Sequence, residues 1–325
     1  MRKNLRRARC VMLALVAWAA WLVGPAGVLA AEVAGMVTEL RVDRGRVEVK
    51  PAGAQEWRNA GPLLALRAGD TVRITEEASV VILLSGGRGS VKVSRTNSPF
   101  VVPAIQEEGK TQKALTLLDA SLGFLSTSAK EAPRATLSTR GASKPPVVLT
   151  PRNGPVLPDS LTFEWLGSRF VRYTVRIAGP GGVVLERKDL TGASFQYPAD
   201  APPLTPGVRY TFEVRSASHP AQQAWFEVLD ASRAQAIQRD MTALEQAAGP
   251  TVSPNTLVTL RTGLLASNDL IHDARRSLIA GLTNDPDEPT FHLLLGTLYQ
   301  KSGLPEQAAE AFDEANFLLT VSAKR

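Results

Sequence analysis

The apolar residues of this chain change their spacing once, and that change constrains the fold more than any other feature. From Val33 to Leu229 they recur mainly at every second position; from Ala231 onward they recur every three or four. Period two with β-branched residues marks half-buried strands, and the wider spacing marks helices. Val47 and Val49 alternate with Glu48 and Lys50, and Val72 and Ile74 with Arg73 and Thr75. Gly89, Val91 and Val93 alternate with Ser90, Lys92 and Ser94, while Leu115 and Leu117 bracket Thr116 as a further short strand. Val80–Leu84 is apolar throughout, which predicts a strand covered on both faces. Gly45, Gly53, Gly61-Pro62, Gly69-Asp70 and Gly86-Gly87 supply the turns.

Strands resume after a polar seam at 129–146, punctuated by Pro133, Pro145 and Pro146, which is expected to be an extended linker with a short strand at Ala135–Thr139. Leu161–Trp165 and Tyr173–Ile177 alternate, and Gly179-Pro180-Gly181-Gly182 makes a hairpin turn. Ala231–Ala248 has no internal Gly or Pro and is stopped by Gly249-Pro250, so a helix is expected there.

The chain has 325 residues, which implies two or three domains. Its 21% charged and 44% apolar composition is that of a globular chain. The formal charge of +6 suggests a polyanion partner until its location is considered. Arg2, Lys3, Arg6, Arg7 and Arg9 lie in residues 1–30, which hold no acid, and the remainder has 32 basic against 31 acidic residues. A basic nucleic-acid footprint is therefore not expected. Cys10 is the sole cysteine, which excludes an intrachain disulfide and a cysteine metal site. His219, His272 and His292 are far apart in sequence.

Five cations, an apolar run over Val11–Val23, the Gly24-Pro25 breaker and Val28-Leu29-Ala30 have the order of a secretory signal peptide, expected over 1–30 and cleaved near Ala31. An uncleaved anchor is the alternative, since the 22 uncharged residues of Cys10–Ala31 can span about 30 Å. Residues 32–325 are expected in the periplasm or cell envelope, with no stable span after cleavage.

Three resemblances follow. The stretch Trp57…Leu66-Arg-Ala-Gly69-Asp70-Thr-Val72-Arg-Ile-Thr75…Ser79-Val-Val-Ile-Leu83…Gly86-Gly87 resembles the FecR domain, departing at Ser85-Gly86-Gly87, where the family commonly has Asp-Gly. It implies an all-β domain over 33–128. Leu204-Thr-Pro206-Gly207-Val-Arg-Tyr210 resembles the fibronectin type III domain, implying a β-sandwich over 147–230 with Trp165 in its core and the Tyr210 hydroxyl bonded to backbone of the preceding turn. In the tail, a shift of 34 residues aligns Leu265 with Tyr299, Ala274 with Ala308 and Leu278 with Phe312. Leu295-Gly296-x-x-Tyr299…Ala308…Phe312…Ala315 resembles the tetratricopeptide repeat; the first copy is degenerate, with Arg261-Thr262 in place of Leu-Gly. It implies a helical repeat region over 231–325. The expected fold is thus multidomain: an all-β FecR-like domain, a fibronectin-like β-sandwich and a C-terminal α-helical repeat segment.

Catalytic motifs are missing from the sequence: H-E-x-x-H, G-x-S-x-G and the P-loop do not occur. Gly86-Gly87-Arg88-Gly89-Ser90 is better read as a hairpin than as a phosphate loop, and Asp285, Asp287 and Glu288 as an inter-repeat turn than as a calcium loop. The expectation is a non-enzymatic envelope scaffold without cofactor or metal, engaging a protein or peptide partner, or peptidoglycan or another glycan, and no nucleic acid. Two alternatives stand beside it. One is a FecR-like signalling component, although nine residues ahead of the apolar run are too few for that family's cytoplasmic segment. The other is a cell-wall hydrolase without a recognisable motif. The tetratricopeptide resemblance places Thr290, Leu293, Thr297, Gln300 and Lys301 on the groove-lining face of one helix, as candidate partner-binding residues.

Overall fold

The structure is a computed structural model that describes residues 33–105, 112–131, 146–158 and 161–321. The expected signal peptide and the strand at Ala135–Thr139 lie outside the described residues.

The first β-region has eight strands: β1 (Val33–Val42), β2 (Arg46–Lys50), β3 (Arg58–Asn59), β4 (Ala65–Arg67), β5 (Thr71–Thr75), β6 (Ala78–Leu84), β7 (Ser90–Ser94) and β8 (Phe100–Val101). They form two antiparallel sheets in the orders β4-β1-β6-β7 and β3-β2-β5-β8. The alternation read from sequence sets the register. Val47 pairs with Ile74 and Val49 with Val72, so all four side chains fall on one face and are buried. Asp70 is buried at the Gly69-Asp70 turn, where its carboxylate accepts from the backbone N–H of Ala52 at 2.9 Å and of Arg67 at 2.8 Å. The Gly86–Gly89 stretch joins β6 to β7 as a hairpin.

The second β-region comprises β9 (Val147–Thr150), β10 (Gly154–Val156), β11 (Thr162–Leu166), β12 (Tyr173–Gly179), β13 (Gly182–Leu190), β14 (Ser194–Gln196), β15 (Arg209–Ser216) and β16 (His219–Val228). One sheet runs β10-β16-β15-β12-β13 and the other β14-β11-β9. Both contribute to one core, in which Phe163 and Trp165 meet Tyr173, Phe212 and Phe226. The backbone N–H of Thr205 donates to the Tyr210 hydroxyl at 2.7 Å. Tyr210→Phe leaves that N–H without its acceptor and is expected to cost about 0.5–1.5 kcal/mol. Urea melts of the full chain measure it, and no loss would mean that the bond contributes nothing to this corner.

Among the described residues six helices follow: α1 (Gln112–Glu131), α2 (Ala231–Ala248), α3 (Pro254–Ser267), α4 (Ile271–Asn284), α5 (Pro289–Lys301) and α6 (Pro305–Val321). The α2 bounds match the sequence expectation, and Asp230 caps its start by accepting from the N–H of Arg233. Ser253 caps α3 in the same way, accepting from Thr256. The ring of Phe312 occupies the space beside Gly296 that a Cβ would need, so α5 and α6 approach closely.

Helix α1 corrects one expectation. Leu115–Leu117 is not a strand, and the segment expected to be all-β to residue 128 ends in a 20-residue helix. Its buried positions are Ala114, Leu117, Leu118, Ser121, Leu125 and Ser128, which is helical spacing. A Leu-x-Leu triplet fits both periods, and only the longer window separates them. Helix α1 packs on α3, where Gly263 leaves room for Ser121, whose hydroxyl donates to the carbonyl of Leu260 at 2.8 Å. It also packs on α2. The second β-region therefore lies in sequence between two helices that touch. From Val33 onward the chain clusters as one unit.

Candidate functional site

The five candidate groove residues divide. Thr290, Leu293 and Thr297 are buried, whereas Gln300 and Lys301 are exposed. Elements β1 and α1 lie against α5, and Leu293 shares a cluster with Met36, Leu63 and Leu125. The Thr297 hydroxyl is spent on its own helix, donating to the carbonyl of Leu293 at 3.1 Å. The Lys301 ammonium stands 5.6 Å from the centroid of the Phe124 ring of α1. The chain's own elements thus cover most of the face that the repeat pattern offered to a partner.

Around the helices the polar side chains form two junctions. At the first, β1 meets α3 and the α4–α5 turn. Thr38 and Thr256 share a hydrogen bond of 2.8 Å, the Thr256 hydroxyl also donates to Glu39 at 2.8 Å, and Ser253 donates to the same carboxylate. Arg41 pairs with Asp285, which also accepts from the Asn255 amide at 2.6 Å. Glu288 is fully buried beside them and caps α5 by accepting from the N–H of Thr290 at 3.1 Å. Burial pushes the Glu288 carboxyl up to about 7, and neighbouring Glu39 adds to the rise. Asp285 titrates below its usual range despite burial, because Arg41 and Asn255 both donate to its carboxylate. Two of the acids considered as a calcium loop, Asp285 and Glu288, are therefore committed to Arg41, Asn255 and the helix cap.

At the second junction, α4 holds the second β-region. Arg275 pairs with Glu164 at 2.7 Å, and the backbone N–H of Leu157 donates to Asp273 at 3.0 Å. His272 is buried, with Nδ1 2.5 Å from the Thr150 hydroxyl. Burial, reinforced by the charges of Arg276 and Arg275, pushes the His272 imidazole down to about 3. Histidines 272 and 292 make separate contacts, since His292 Nε2 meets the carbonyl of Pro286 at 2.7 Å. Among the described residues, no group of three or more His, Cys, Asp or Glu side chains is placed to hold a metal ion.

The geometry that can take a partner segment is a cleft of about 560 Å³ between α2, α3 and α4. Met241, Val258 and Leu265 give it apolar lining, and Gln238, Ser277 and Asn284 line it with hydrogen-bonding groups. Arg261 is held toward Glu245 at 2.7 Å, and Arg276 lies 3.4 Å from Asp273. Sequence reasoning missed this cleft. Its signal was the degenerate first repeat, where Arg261 replaces the leucine of the pattern: the cation there stays partly exposed, pairs with Glu245 and lines the cleft. No protein-family model matches this chain, and no curated protein matches it. No helix among the described residues is long and apolar enough to cross a membrane.

Proposed function

We propose that this is an exported, non-enzymatic scaffold of the cell envelope that holds a segment of a protein partner in the cleft between α2, α3 and α4. The observation that carries the reading is the mixed lining of that cleft, in which Met241, Val258 and Leu265 stand among hydrogen-bonding and oppositely charged side chains, a composition suited to an extended or helical peptide. The FecR-like, fibronectin-like and tetratricopeptide-like resemblances support it, because each names a module of interaction rather than catalysis. The two junctions support it as well, since buried polar contacts on both sides of the helices favour one fixed presentation of the cleft.

Capture from envelope extract by the immobilised full chain tests the proposal. Ala280 is exposed and lines the cleft, so Ala280→Trp fills it at little expected cost to folding. Ala280→Trp and Arg261→Glu should each reduce capture roughly tenfold, the effect of about 1.4 kcal/mol. Undiminished capture by both variants would move the site elsewhere. Release of soluble fragments from purified wall material would replace the scaffold reading with a hydrolytic one, and sedimentation with intact wall material would make glycan the partner.

A further inference from the structure

Phe170 is 84% exposed, more than any other large apolar side chain among the described residues. It sits in the loop Gly167-Ser168-Arg169-Phe170-Val171-Arg172, which joins β11 to β12 and carries two arginines and no acid. The loop is held from beneath. The hydroxyl of buried Tyr173 accepts from the Ser168 N–H at 2.7 Å and lies 3.3 Å from the Ser168 carbonyl. The Ser168 hydroxyl accepts from the Phe170 N–H at 3.2 Å, and the Val171 N–H donates to the Ser168 carbonyl at 3.1 Å. Gly167 leaves free the space that the Tyr173 hydroxyl fills. The ring is thus presented on an internally bonded turn, with the Arg169 guanidinium 4.9 Å from its centroid. The neighbouring strand ends add Arg187, Lys188 and Arg215 against Glu186 and Asp189, with Glu186 shared between Lys188 at 3.4 Å and Arg215 at 3.6 Å.

We propose that this loop is a docking tip for an anionic phospholipid surface, with Phe170 entering the headgroup region and Arg169 and Arg172 meeting lipid phosphates. A stable protein interface draws on about 20–30 residues a side, and a protruding loop of this size supplies few of them. A bilayer closes around one protruding ring, and its phosphates supply the negative charge that the arginines lack here. The tip is separate from the α2–α4 cleft, and its test is independent of partner capture.

Because Cys10 is the sole cysteine, the full chain carrying Cys10→Ser and Phe170→Cys accepts one environment-sensitive fluorophore at the tip. Its emission should shift to the blue with vesicles containing phosphatidylglycerol and stay unchanged with phosphatidylcholine alone. Adding Arg169→Ser and Arg172→Ser should raise the lipid concentration needed by roughly 30-fold, at about 1 kcal/mol for each arginine. A probe at the exposed Glu314 position, introduced as Glu314→Cys, should not shift. The proposal falls if the tip probe gives no shift with phosphatidylglycerol, or the same shift with phosphatidylcholine. It also falls if the probe at position 314 shifts equally, since the N-terminal segment would then account for attachment. A shift produced only by envelope protein assigns the loop to a protein partner and likewise overturns it.

Discussion

Acidification from pH 7 to pH 3 is expected to remove on the order of 4 kcal/mol of stability through His272 alone. The imidazole is buried on α4 against β9, its Nδ1 meets the Thr150 hydroxyl, and its Nε2 has no hydrogen-bond partner. A proton added there would be a charge in a buried site near Arg276 and Arg275, which is why burial and those charges hold the group down to about 3. The sign follows from which state binds the proton. Between the ordinary value of 6.5 and about 3, the unfolded chain is protonated and the folded chain is not. The stabilisation is complete above pH 6.5 and is lost as pH falls toward 3. Urea melts at several pH values on the parent chain and on His272→Gln measure it. The variant should be less stable at neutral pH, through lost packing, yet show a flatter acid limb. Equal acid limbs in the two proteins would remove His272 from the account.

Glu288→Gln should stabilise the protein by about 3 kcal/mol at pH 8 and by little at pH 5. The carboxyl is fully buried at the junction of β1 with the α4–α5 turn, where Arg41 lies 4.0 Å away and Glu39 opposes its charge. Burial raises it from 4.5 to about 7. Here the unfolded chain loses its proton first. Stability therefore falls as pH rises from 4.5 to about 7 and stays lower above that. Glutamine keeps an oxygen to accept from the Thr290 N–H and has no charge to desolvate. Melts of both proteins at the two pH values decide it, and a gain independent of pH would show that ionisation is not the cause. Between about pH 4.5 and 6.5 the two groups act in opposite directions, one at each junction, and largely offset each other.

Much of the local structure was legible in the sequence. The pairs Val47–Ile74 and Val49–Val72 follow from alternation, because a one-residue slip would send valines to solvent. The α2 boundaries follow from Asp230 ahead of the helix and Gly249-Pro250 behind it. The Tyr210 hydroxyl bond to backbone of the preceding turn is what the resemblance carried by Leu204-Thr-Pro206-Gly207-Val-Arg-Tyr210 implies. Val80–Leu84 shows where such reading stops. The continuous apolar run required cover on both faces, and the structure provides it: Val80, Ile82 and Leu84 face the first β-region's core, while Leu83 joins the cluster of α1, α2 and α3. The run said nothing about what that second cover would be.

The candidate site was less legible for the same reason. Thr290, Leu293 and Thr297 do share one helix face, as their spacing dictates, but spacing carries no information about what lies against the face. A threonine with its hydroxyl turned back on its helix is as compatible with the interior as with a groove. By itself the sequence determined the periods, turns and caps, and hence where most strands and helices begin and end, since those depend on residues a few positions apart. Only the tertiary structure decided that α1 and β1 cover α5, that buried Glu288 and His272 sit at two junctions, and that the open cleft lies between α2, α3 and α4. Those outcomes depend on burial and on charges brought together across 100 to 250 residues of chain, as in Thr38 with Thr256 or Arg41 with Asp285, and no local pattern encodes them.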